Sequence, residues 1–160
     1  MDRSLRRRRP CPRSETGAAL IEFALVLPIL VVLLFAMLEF GKAFNYWIDE
    51  THLANEGARW AVVDKNPGAG SGTSLQEYIK EQASTSELRN GGTPSVASPA
   101  QVCITFPDGT SNAGDPVHVE VTATYNWLPV LGLDATSVDL VGRSTMRLEA
   151  GPTNYTSGCS

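Results

Sequence analysis

Few residues in this chain have the types and spacing that chemistry demands. The two histidines, His52 and His118, fall on different expected elements and have no obvious partner. No Ser/His/Asp arrangement, GxSxG, HExxH or phosphate-loop pattern occurs. Cys11, Cys103 and Cys159 form no CxxC and no His/Cys pair at zinc spacing, so neither a metal nor another cofactor is expected. By the requirements of an active site, the expectation is a protein that is not an enzyme. The residue that does call for a chemical explanation is Glu22, a carboxylate near the start of an otherwise apolar run. A charge in lipid costs roughly 2.5–3.5 kcal/mol at a helix centre and less near the interface, so Glu22 needs a compensating partner.

The element that carries Glu22 is the run Ala18–Leu38, AALIEFALVLPILVVLLFAML. As a helix its ~21 residues span about 31 Å, the thickness of a bilayer's hydrocarbon core. Residues 1–17 before it hold six arginines against Asp2 and Glu15, whereas the whole chain has a net charge of −4. The acidic excess therefore lies beyond Gly17. Short arginine runs can bind nucleic acid, but a basic head abutting an apolar helix follows the positive-inside rule, and the acidic remainder opposes a polyanion. The expected topology is a single pass through the cytoplasmic membrane, with membrane lipid as a partner and no nucleic acid. The leader would be cytoplasmic and the rest extracytoplasmic, where Cys103 and Cys159 would be a natural disulfide pair. Pro28, midway along the run, removes a backbone hydrogen bond; it is either simply tolerated or a source of local flexibility.

Beyond Leu38 the helical pattern continues. Phe40, Ala43, Phe44, Trp47, Ala54, Ala58 and Ala61 recur at three- and four-residue steps, with Asp49, Glu50, Asn55, Glu56 and Arg59 on much of the remainder. Leu53 lies off that stripe. Ala54, Gly57, Ala58 and Ala61 make small-xxx-small steps that suit close packing on the chain's own sheet, or on another subunit. Trp47 and Trp60 are expected as core or interface anchors. Asn66-Pro67-Gly68 should end the helix. A second helix is expected through SLQEYIKEQASTSELR, capped by Thr73 or Ser74. Strands are expected at Gln101–Phe106, Val117–Trp127 and Ser137–Leu148, followed by a polar tail from Pro152 to Ser160. The resulting expectation is an α+β fold: one long N-terminal helix, a short second helix, and an antiparallel sheet of three or four strands. Its parts are a leader (1–17), a transmembrane helix (18–38), a helix extension (39–66) and an extracytoplasmic α+β domain (67–160).

A basic leader, a glycine immediately before an apolar helix, and a glutamate five residues past it together make the pattern of a prepilin-type N-terminus. A prepilin peptidase working at the cytoplasmic membrane face would cut between Gly17 and Ala18, making Glu22 the fifth residue of the mature chain. Its carboxylate could then pair with the new α-amino group of Ala18 on a neighbouring subunit. The alternative is an uncleaved signal anchor carrying an extracytoplasmic binding domain. A secretory signal peptide fits poorly, because its apolar region is ~7–15 residues and a small-residue cleavage site should follow it.

The stretch GAALIEFALVLPILVVLLFAMLEFGKAF resembles the N-terminal signature of the TadE-like proteins, with Glu22-Phe23, Pro28, Glu39-Phe40-Gly41 and Phe44 at the matching places. EGARWAV, Glu56 to Val62, is similar to the family's second recurrent patch. The resemblance implies a minor pilin or pseudopilin of a tight-adherence, Flp-type pilus assembly system. It further implies processing after Gly17, with Glu22, Phe23 and Pro28 as assembly positions. The implied partners are the prepilin peptidase, other pilins or pseudopilins, and the assembly platform proteins.

Overall fold

The computed structural model describes residues 15–127 and 137–160. The expected leader lies outside the described residues from Met1 to Ser14, and Cys11 with it. Helix α1 runs Glu15–Val62, followed by a single 3-10 turn at Ala69–Ser71 and two short helices, α2 (Leu75–Glu81) and α3 (Ser86–Asn90). The strands are β1 (Gln101–Thr105), β2 (Pro116–Asn126), β3 (Ser137–Arg147) and β4 (Gly158–Cys159). The architecture is α+β, as the periodicities imply. The chain divides into two compact units at Leu38/Glu39.

In the first unit, the apolar residues from Leu20 to Leu38 form helix with Pro28 inside it, and their large side chains are exposed. The helix is long and apolar enough to cross a membrane. It starts at Glu15, slightly before the apolar run. A lone Gly17 costs a helix only about 1 kcal/mol and does not stop it.

The second unit is built on an antiparallel sheet in the order β3-β2-β1-β4. Alternation along β2 puts Val117, Val119, Val121, Ala123 and Tyr125 on one face, all buried, and His118, Glu120, Thr122 and Thr124 on the other. The α1 extension lies on the buried face. Two glycines permit the close approach. A Cβ on Gly142 of β3 would collide with the backbone of Glu50, and one on Gly57 of α1 would meet Ile79 Cδ1 at 2.6 Å and Val119 Cγ1 at 3.3 Å. Ala54, Ala58 and Ala61 are fully buried beside them, so these small residues serve packing within the chain.

This contact reorients the helix relative to the expected stripe. Leu53 and Glu50 are fully buried and Asp49 is nearly so, although the periodicity assigned both acids to the polar side. Phe40, Phe44 and Trp47 remain between 45% and 64% exposed. At their level the sheet reaches α1 through the end of β2, where Tyr125 packs on Tyr46, and this covers only part of the helix surface.

Two further expectations change. The second helix is split, α2 ending at Glu81 and α3 beginning at Ser86. Between them the Ser84 N–H and hydroxyl donate to the Asp49 carboxylate at 2.9 and 2.7 Å, a tether that competes with continued helix. At the start of α2, Ser74 and Glu77 form a reciprocal capping box. The C-terminal tail is docked rather than loose. Tyr155 is buried and donates to the Ala61 carbonyl, Gln76 donates to the Thr156 carbonyl, and β4 pairs with β1.

Candidate assembly face on the first helix

Gly17, Ala18, Glu22, Phe23 and Pro28 all lie on the first unit's stretch of α1, and Ala18, Glu22, Phe23 and Pro28 are exposed. Phe23 adjoins Glu22 in a helix whose neighbouring side chains, Leu20, Ile21, Leu25 and Val26, are more than half exposed. A carboxylate with free space around it, in a sleeve of exposed apolar side chains, can accept a charge-assisted hydrogen bond from another molecule.

The second unit places a different set of carboxylates. Glu39 is turned inward, and Tyr125 Oη donates to its carboxylate at 2.6 Å. Burial pushes the Tyr125 phenol well above its usual range, and the Glu39 hydrogen bond and charge push it further, so it stays a donor. Glu50 is fully buried beneath β3, and neither carboxyl oxygen has a hydrogen-bond partner. Its pKa is pushed up to about 8 by burial and then by the neighbouring Asp49 charge, with the Ala123 backbone pulling weakly the other way. Asp64, in the turn just past the end of α1, is in the left-handed region at φ 48°. It accepts from the Thr153 N–H at 2.8 Å and the Asn154 N–H at 2.9 Å, clasping the tail. Burial pushes the Asp64 carboxyl up, but these bonds together outweigh it and hold it below the usual carboxylate range.

Cys103 and Cys159 stand directly opposite each other in the β1–β4 pairing, 4.1 Å apart at Cα, and are joined by a disulfide. In the chain-entropy account a bridge across 56 residues stabilises by about 4 kcal/mol. It fastens an edge strand of two residues that ladder bonds alone would hold poorly.

The remaining chemistry-bearing residues are dispersed. His118 shares a 2.7 Å hydrogen bond with Thr145 on the outer sheet face, beside the Arg143–Glu120 ion pair at 2.7 Å. His52 lies on α1 in a shallow open concavity with Glu56, Arg59 and Trp60. Among the described residues no group of His, Cys, Asp or Glu could hold a metal ion. Trp60 is half-buried under Lys65, whose Nζ lies 5.3 Å from the ring centre. The tethers made by Glu39, Asp49 and Asp64 escaped the periodicity argument. For Glu39 alone there was a signal, its place in the Glu39-Phe40-Gly41 motif.

An α+β domain with one N-terminal helix of membrane-spanning character is the class of a single-pass, membrane-anchored protein. Residues 17–59 match the family model described as TadE-like protein. The match takes in Gly17, Glu22, Phe23, Pro28 and Glu39-Phe40-Gly41, and it is consistent with a membrane protein connected with pilus assembly. No curated protein and no solved structure matches the chain.

Proposed function

We propose that this chain is a minor pilin or pseudopilin of a tight-adherence, Flp-type pilus assembly system, acting through subunit contacts and without catalysis. The observation that carries the proposal is the family match over residues 17–59, whose N-terminal half coincides with a helix stretch, Leu20 to Leu38, that leaves its large apolar side chains uncovered. In this reading residues 1–17 are a cytoplasmic leader removed by a prepilin peptidase between Gly17 and Ala18. Residues 18–38 span the cytoplasmic membrane, and the domain beyond is extracytoplasmic. Glu22 accepts the α-amino group of Ala18 from a neighbouring subunit, which offsets the cost of its charge in lipid and sets axial register. Phe23 and Pro28 belong to the same contact surface, and other pilins and the assembly platform are its partners. Protein purified from its native host should begin at Ala18 by N-terminal mass spectrometry. An intact leader in a host with active peptidase would instead make the chain an uncleaved signal anchor. Glu22→Ala should still insert into the membrane yet abolish piliation, scored by electron microscopy. Full piliation in that strain would remove the pairing argument.

A further inference from the structure

The α1 segment just past Leu38 combines two features that belong together at a membrane surface. Phe40, Phe44, Trp47 and Ile48 lie at i, i+4, i+7 and i+8, one stripe of helix surface, and are 64%, 49%, 45% and 50% exposed. Their rings form a ladder, Phe40 to Phe44 at 6.4 Å and Phe44 to Trp47 at 5.7 Å. Elsewhere among the described residues of the second unit, the large exposed apolar side chains are Val63 and Val138. The charges are arranged to match. Lys42 is exposed and is the one charged residue between Phe40 and Ile48. The acids flanking this stretch are withdrawn: Glu39 to Tyr125, Asp49 to Ser84, and Glu50 beneath β3.

We propose that the Phe40–Phe44–Trp47–Ile48 stripe is a lipid-facing surface running from the edge of the hydrocarbon core into the headgroup layer of the bilayer, so that the membrane boundary falls near Trp47 and not after Leu38. The proposal rests on the single-pass anchor of the preceding reading and adds to it a second contact, made by the folded domain's own helix. Length agrees with it. Counted from Ala18, a tilted span of up to ~25 residues ends near Lys42. Phe44, Trp47 and Ile48 then fall within the next ~9 Å of helix, close to the ~5–8 Å of one headgroup layer. Aromatic rings with an apolar body favour that layer, and a lysine there lays its stem along the acyl boundary while its ammonium reaches phosphate. An exposed carboxylate would resist entering the acyl boundary, and among residues 40–48 there is none. A second copy of the chain is the rival occupant, but the stripe's continuity with the apolar run and its single basic charge favour lipid.

Tryptophan emission tests this directly, because the chain has three tryptophans and only Trp47 lies on the stripe. The full chain is placed in phosphatidylcholine vesicles, with part of the lipid brominated on the upper acyl chain. Bromolipid should quench up to about one-third of the wild-type emission, one indole in three at the interface, and Trp47→Phe should reduce that quenching several-fold. Trp47 is exposed, so its replacement leaves the core intact. Equal quenching of wild type and variant in protein that floats with the vesicles would overturn the lipid surface while leaving the anchor standing. Protein that fails to float with the vesicles would overturn the anchor and this proposal with it. Trp47 shielded from both bromolipid and aqueous acrylamide, with the shielding lost on dilution into more lipid, would assign the stripe to a second copy and overturn the proposal too.

Discussion

Between Leu20 and Leu38, α1 carries leucine, isoleucine, valine and phenylalanine outward on every side. Between Glu50 and Ala61 the buried residues of the same helix are mostly alanine and glycine, with Leu53 the largest apolar one. The usual association of large apolar residues with the interior is thus inverted along one element. Each stretch meets a different solvent. Lipid rewards bulk on all faces, because hydrocarbon needs no exclusion from hydrocarbon. A sheet at close quarters admits only small side chains, and the stabilisation comes from the valines of β2 that those small residues let in. Burial in a folded domain and immersion in a bilayer therefore write different compositions onto the same backbone geometry.

That contrast can be broken most forcefully at the disulfide. Cys103→Ser or Cys159→Ser should lower the stability of the folded domain by about 4 kcal/mol in urea titration of the detergent-solubilised protein. Membrane insertion of α1, read by carbonate extraction, should be unchanged. A common loss of both would mean that the two stretches do not answer to separate solvents.

Glu50 sharpens the comparison from the other side, since it is a carboxyl buried by protein and not by lipid. Its pKa rises from 4.5 to about 8 on folding, so the folded state holds a proton that the unfolded state gives up. Stability should fall as pH rises from about 4.5 towards 8 and then level off, because above the folded pKa both states are ionised. Glu50→Gln keeps the shape of the neutral form. It should match wild type near pH 4, where both states mostly carry the proton, and be more stable by on the order of 4 kcal/mol near pH 8. Parallel pH profiles for the two proteins, by chemical denaturation, would show that Glu50 does not stay protonated on folding.

The smallest expected change tests the close approach itself. Gly142→Ala puts a methyl against the Glu50 backbone and should cost about 2 kcal/mol, with hydrogen exchange rising along β3 and around Glu50. An unaffected melt would mean that helix and sheet can separate slightly without loss.

Much of this molecule is legible from periodicity and composition. The uninterrupted run Ala18–Leu38 needs no tertiary context to read as helix of membrane-spanning length. Strict alternation from Val117 to Tyr125 likewise identifies a half-buried strand and the face it buries. The glycine, glutamate and proline of the N-terminal motif are local, so their resemblance to a family could be seen in a single stretch of chain. The extension of α1 was harder. Its pattern of small and aromatic residues fits more than one arc, and a three- and four-residue rule picks the arc with the largest apolar residues. The arc that is buried passes through Glu39, Tyr46, Glu50, Leu53 and Gly57 because Gly142, distant in sequence, lets the helix backbone come close to the sheet at Glu50. Partners such as Tyr125 for Glu39, Ser84 for Asp49 and Thr153 for Asp64 come from other elements, and no local pattern announces them. The inward turn of three acids and the outward display of Phe40, Phe44 and Trp47 are two results of that single rotation of the helix, which is set by contacts between residues far apart in the chain.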